Sequence, residues 1–93
     1  MSQYRKPFIS KKAFKRREGE CQICGERRYK LLDAHRIIPG EKGGKYENSN
    51  CVCICISCHR KHHSGLIEII GWFNSSKGRL LNFIDEEGNE QFR

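Results

Sequence analysis

Apolar positions along this chain fall in short blocks separated by charged or glycine-rich stretches, and the period changes from block to block. Residues 1–10 contain Pro7 as a breaker and Phe8-Ile9 as a candidate anchor, so an extended or loose segment is expected there. Ser10 stands where an N-cap would stand for a basic helix over residues 11–18, which Gly19 ends. Residues 29–38 read as a strand, because Leu31, Leu32, Ile37 and Ile38 flank a polar group. Pro39-Gly40-Glu-Lys-Gly43-Gly44 is a loop. Cys51-Val-Cys-Ile-Cys-Ile alternates small thiols with β-branched residues at period two, which predicts a second strand. A helix is expected after Ser57 through Ser64, with Gly65 as its stop. The apolar stretch 66–73 is expected to pack on the unit before it, and residues 79–84 and 90–93 flank Asp85-Glu-Glu-Gly88-Asn89 as a hairpin would. The pattern is that of a small α+β chain: a strand-loop-strand-helix core with a basic N-terminal helix and a C-terminal β-hairpin.

Composition narrows this picture. With 93 residues the chain is expected to be one domain, divided into a basic arm and helix (1–20), a core (21–64) and an apolar segment with hairpin (65–93). A domain of that size buries only about 60–65% of the surface its unfolded chain exposes, so a bound metal would matter for stability. The formal net charge is +7. It is concentrated at the front and middle, with an acidic excess in residues 85–93. Lys11, Lys12, Lys15, Arg16 and Arg17, with Arg27, Arg28 and Lys45, could hold a polyanion through phosphate contacts, or could form a solvated helix face. No apolar run approaches the roughly 20 residues that span a bilayer. Met1-Ser-Gln-Tyr-Arg-Lys-Pro lacks the apolar region of a secretion signal, so reduced intracellular thiols are expected rather than disulfides.

The six cysteines contain two C-x-x-C pairs, Cys21-Gln-Ile-Cys24 and Cys55-Ile-Ser-Cys58. That spacing lets one turn deliver two sulfurs to an ion at about 2.3 Å, so the four thiols are expected to form one structural zinc site. Cys51 and Cys53 are surplus and read as small buried hydrophobes. The histidines suggest a second site. His59 and His63 are i and i+4 on the expected helix and share a face, with His62 as a substitute for either, and His35 would close the set from the first strand. The run His59-Arg-Lys-His-His63 could alternatively make a phosphate-contacting helix.

The order Asp33-Ala-His35-Arg36-Ile-Ile-Pro39-Gly, Gly43-Gly44-Lys-Tyr46, Asn50, then Cys55-x-x-Cys58-His59-x-x-x-His63 resembles the HNH endonucleases, the ββα-metal or His-Me finger nucleases, in their zinc-knuckle form. The resemblance covers about residues 12–64, with weaker similarity onward as in small phage and prokaryotic HNH proteins. It implies a ββα-metal finger stapled by the four cysteines, and a divalent-metal-dependent endonuclease hydrolysing DNA phosphodiester bonds with low or unknown sequence specificity. It also implies catalytic roles for His35, Asn50, His59 and His63. Of these, His35, His59 and His63 would be ligands of a catalytic Mg²⁺, Mn²⁺, Ni²⁺ or Zn²⁺, with Asp33 as a further candidate.

One position departs from the family pattern. The general base usually sits three residues before the proline, and here that residue is Arg36, whose guanidinium cannot accept a proton near neutral pH. Two readings are open. Either the strand is shifted by one residue and His35 is the base, helped by Asp33, or His35 is a metal ligand and Arg36 clamps a phosphate. The alternative function is a catalytically inactive zinc module that binds nucleic acid, or an adaptor that docks on a larger phage or nuclease assembly through Trp72, Phe73 and the acidic hairpin.

Overall fold

The first helix, α1 (Lys11–Glu18), has the bounds its flanking residues imply. The Ser10 side chain accepts the Ala13 N–H at 3.0 Å, and Gly19, at φ 76°, donates its own N–H to the Lys15 carbonyl. Lys15, Arg16 and Arg17 occupy the last turn, where the helix dipole favours cations. A single residue, Phe14, is buried and anchors α1 to the sheet behind it. A computed structural model of the chain describes residues 10–93, so the expected loose segment with Phe8-Ile9 lies outside the described residues except for Ser10.

The first strand, β1 (Leu32–Arg36), is shorter than the alternation implies at both ends. Tyr29–Leu31 winds into a 3-10 turn closed by the Leu31 N–H on the Arg28 carbonyl. After Arg36 the ladder stops because Asn50 takes over the backbone: its carbonyl accepts from Ile37, and its side chain accepts from Ile38. β1 pairs antiparallel with β2 (Cys51–Cys55), with His35 opposite Val52 and Arg36 opposite Cys51. β2 is buried at every position, because both its faces are covered. The helix α2 (Ile56–Ser64) follows without a linker, so Ile56, expected to end the strand, opens the helix instead. Cys55 is its N-cap, and Gly65 ends it at φ 86°.

The C-terminal part is larger than a hairpin. Strands β3 (Glu68–Ser75), β4 (Gly78–Ile84) and β5 (Glu90–Phe92) form an antiparallel sheet in the order β3-β4-β5. The expected hairpin is therefore two thirds of the sheet, and the apolar stretch read as packing material supplies its third strand. Among the described residues the architecture comprises two α-helices and two sheets. The sheet's inner face puts Ile69, Leu81 and Phe83 into one core with Phe14, Val52 and Ile54. Burying each of the larger side chains contributes about 1.5–3 kcal/mol.

Trp72 fastens this sheet to the rest. Its Nε1 donates to the Cys51 carbonyl at 2.9 Å, and the Arg79 guanidinium stacks on its ring, 3.7 Å from the centroid. Arg79 in turn donates to the Asn48 carbonyl at 2.6 Å. Trp72, partly buried, thus makes its polar and stacking contacts within the molecule, whereas Phe73 is 51% exposed on the sheet's outer face.

Candidate metal centres and catalytic cleft

The thiol site is built from two tight turns. Cys21 and Cys24 lie on a turn closed by the Gly25 N–H on the Cys21 carbonyl, while Cys55 and Cys58 lie at the β2–α2 junction. The Cys24 N–H points at the Cys21 sulfur and the Cys58 N–H at the Cys55 sulfur, each at 3.4 Å. The Cys24 and Cys55 sulfurs are 3.5 Å apart, and all four lie within 4.8 Å of one another. Four sulfurs about 2.3 Å from a tetrahedral ion lie about 3.8 Å apart, so the donor set fits zinc. Burial pushes the Cys24 and Cys58 thiols up, whereas at Cys21 burial is outweighed by N–H groups, that of Cys24 foremost, and its thiol is lowered. A cation would hold the others as thiolates. Cys51 and Cys53 stand outside this group, and burial pushes Cys53 up to about 12, so it behaves as an apolar filler.

The imidazole site joins β1 to α2. His35 is 9% exposed, and its Nδ1 lies 3.2 Å from the Nε2 of His59. His59 and His63 stack one helical turn apart, and His35, His59 and His63 offer nitrogens within 4.8 Å of one another. Burial, then the neighbouring His62, His59 and His63, pull His35 down to about 4. A neutral imidazole presents the lone pair a metal needs. Asp33 Oδ2 lies 3.2 Å from His59 Nδ1, so the carboxylate holds that ring's N–H and leaves Nε2 facing His35. Asp33 therefore stands behind His59, outside the group of three. His62 also stands outside it: its ring lies 4.7 Å from that of His35, and its buried Nδ1 has no hydrogen-bond partner among the described residues.

Asn50 is brought near this cleft but turned away from it. It is 7% exposed, its Oδ1 accepts from the Ile38 N–H at 2.8 Å, and its Nδ2 donates to the Ile38 and Lys45 carbonyls at 3.0 Å each. The carboxamide is spent on pinning the loop between β1 and β2. Gly44 belongs to the same device: a Cβ there would lie 1.6 Å from the Ile38 carbonyl oxygen and 2.9 Å from Asn50 Nδ2, so no side chain fits. That requirement is the physical content of the paired glycines in the sequence.

Arg36 stays in the cleft. Its guanidinium lies over the Tyr46 ring, 4.4 Å from the centroid, in a depression of about 220 Å³ lined by Ala34, His35, Pro39, His59 and His63. The α1 cations divide. Lys11 reaches the Tyr46 ring at 4.8 Å, whereas Lys15 and Arg16 lie over Tyr29 and Lys15 also donates to the Leu32 carbonyl. Arg17 is taken up by Glu18 and by Asn48 Oδ1, and Lys12 is exposed. Arg28 is chelated by Glu26. In the sequence Tyr46 stands within the motif that carries the resemblance, an aromatic ring in an otherwise polar loop two residues after the paired glycines.

Residues 21–65 match the model of the family described as HNH endonuclease. The chain is 32% identical over 69 residues to a protein named Anaredoxin from Nostoc sp. (strain PCC 7120), a match covering 70% of this chain and 90% of that protein. It is 30% identical over 66 residues to the Type IV methyl-directed restriction enzyme EcoKMcrA of Escherichia coli (strain K12), covering 63% of this chain and 24% of that enzyme, so it spans about a quarter of that relative's length. No solved structure matches the chain.

Proposed function

The chain belongs to the HNH endonuclease family, and from that premise we propose that it is a metal-dependent nuclease hydrolysing DNA phosphodiester bonds at the cleft between β1 and α2. The observation that carries this reading is the meeting of His35, His59 and His63 within 4.8 Å of one another in a cleft that also holds a guanidinium. His35, His59 and His63 would hold a divalent ion, which when bound supplies Lewis-acid stabilisation of charge on a phosphoryl oxygen. Asp33 keeps His59 in the tautomer that presents Nε2. Asn50 holds the loop that forms the cleft's far wall. Arg36 cannot take a proton from water, so it binds substrate charge instead.

The 3.2 Å separation of His35 Nδ1 from His59 Nε2 favours His35 as a ligand over His35 as a base. The same residue, Arg36, sustains a second reading: a zinc-stapled module that binds DNA without cutting it. A plasmid-nicking assay in Mg²⁺, Mn²⁺, Ni²⁺ and Zn²⁺ separates the two. The nuclease reading expects cleavage that His35→Ala and His59→Ala abolish. Intact DNA binding with no cleavage under any of the four ions overturns it in favour of the binding module.

A further inference from the structure

Two cations from elements far apart in the chain converge on one aromatic ring beside the imidazoles. Arg36 comes from the end of β1 and Lys11 from the first turn of α1, and both lie over Tyr46, at 4.4 and 4.8 Å from its centroid. Several other cations have acidic partners, Arg17 in Glu18, Arg28 in Glu26 and Lys61 in Glu86, and Lys15 and Arg16 share Tyr29, which does not line the cleft. Among the described residues neither Lys11 nor Arg36 forms a salt bridge. The guanidinium is also walled in, since a Cβ on Gly40 would lie 2.7 Å from its Nη1 and 3.2 Å from its Cζ. Backbone on one side and a π face on the other hold it in place.

Two like charges gathered at one ring repel, a cost that the ring's negative face offsets in part and an anion would offset further. A phosphate is a suitable anion, because a planar fork and a compact ammonium can share its oxygens. We infer that Tyr46 seats Lys11 and Arg36 as a pair that binds one phosphodiester phosphate of a nucleic-acid strand, next to the phosphate held at the imidazoles. Tyr46 is the positioning residue, and Lys11 and Arg36 make the contacts. The inference rests on the nuclease reading only for the identity of the polyanion. It assigns a path to the strand, from the histidines past Tyr46 to the start of α1.

The test is binding of a fluorescent DNA duplex by the zinc-loaded chain without added Mg²⁺ or Mn²⁺, measured across a salt series. Each phosphate contact contributes a slope of about 0.9 to the fall of log affinity with log salt, so Lys11→Gln and Arg36→Gln should each flatten it by about that amount and weaken binding roughly tenfold at 0.1 M salt. Tyr46→Leu keeps every charge, yet should flatten the slope as the cation pair disperses, while Tyr46→Phe, which keeps the π face, should retain it. Lys11 is exposed at the start of α1, so its variant tests the seat even where Tyr46→Leu fails to fold. Co²⁺ binding at the imidazoles, read by absorption, should be the same in Lys11→Gln as in the unaltered chain. Unchanged slopes in Lys11→Gln and Arg36→Gln, or a Tyr46→Leu slope equal to that of Tyr46→Phe, overturn the seat. Loss of slope in a chain that cuts no plasmid would leave the seat standing and remove the nuclease reading, so the two fail separately.

Discussion

The cysteine site and the histidine cleft share one short helix, on which Cys58 and His59 are neighbours in sequence, yet they are held by different kinds of contact. The cysteines are positioned locally: each pair spans one turn, and its own amides point at its own sulfurs. The cleft is positioned from a distance: Asp33 fixes His59 across 26 residues, Asn50 fixes Ile38 across 12, and Lys11 and Arg36 meet on Tyr46. Each thiol pair needs only its own turn, although the two pairs, with Cys24 and Cys55 separated by 31 residues, are joined across the fold. A site assembled from remote parts depends on the loop, both strands and α1 being in register at once. Damage to the thiol site should therefore propagate to the cleft, because Cys55 caps α2 and Cys58 lies in its first turn, whereas damage to the cleft should stop there.

The strongest way to break this asymmetry is to remove the structural metal. Chelation of zinc, or Cys58→Ser, should abolish cooperative thermal unfolding followed by circular dichroism and with it every binding property of the cleft; structural zinc contributes roughly 10–16 kcal/mol in small peptide domains. His35→Ala should leave the melting transition and zinc content intact. A native melt in the metal-free chain would show that the core of Phe14, Ile54 and Leu81 suffices alone.

The loop comes next. Gly44→Ala forces a Cβ into the Ile38 carbonyl and cannot be absorbed without moving the loop, at a cost of about 1–3 kcal/mol or more. Zinc content should stay at one ion per chain by atomic absorption while Co²⁺ and DNA binding fall. Asn50→Ala leaves the Ile38 amide and the Ile38 and Lys45 carbonyls without their side-chain partner, a loss of about 1–3 kcal/mol that urea titration would read. Equal zinc loss and cleft loss in either variant would erase the distinction between the two sites.

Asp33→Asn is a gentler probe of the cleft alone. It weakens the hold on His59 Nδ1, and Co²⁺ affinity should drop by about 10- to 100-fold with the melting transition unchanged. The smallest effect is expected away from both sites. The Asp85 carboxylate accepts from Gln91, and from the Asn89 and Glu87 amides, and these bonds hold its pKa below the ordinary value. A depressed folded-state pKa gives stability that is present above about pH 4 and lost as pH falls through the lowered value. Asp85→Asn should therefore flatten the acid limb of the stability profile slightly and leave zinc and Co²⁺ binding as they were.

Much of the fold was legible because its boundaries are set by neighbours in sequence. Ser10 and Gly19 bracket α1, and Gly65 closes α2, since a cap acts within one turn. The strand errors have a tertiary cause: β1 ends where Asn50 captures the Ile37 and Ile38 amides, an event the alternation of Leu32 and Ile37 does not register. Likewise nothing local marks residues 68–75 as the third strand of a sheet, since the pairing of Ile69 with Phe83 and of Trp72 with Leu81 depends on a partner not yet met along the chain.

The sequence by itself determined the chemistry that is available. Two C-x-x-C pairs and an i, i+4 pair of histidines place donor atoms together because one turn of backbone is shorter than the reach of two side chains. The tertiary structure alone decided how that chemistry is deployed: Asp33 on His59 rather than His35, Asn50 turned into the loop, Arg17 spent on Asn48 and Arg36 joined by Lys11 on Tyr46. Those choices follow from distances between segments up to 35 residues apart, which no local propensity encodes and only the packing of α1, both strands and the loop on one core supplies.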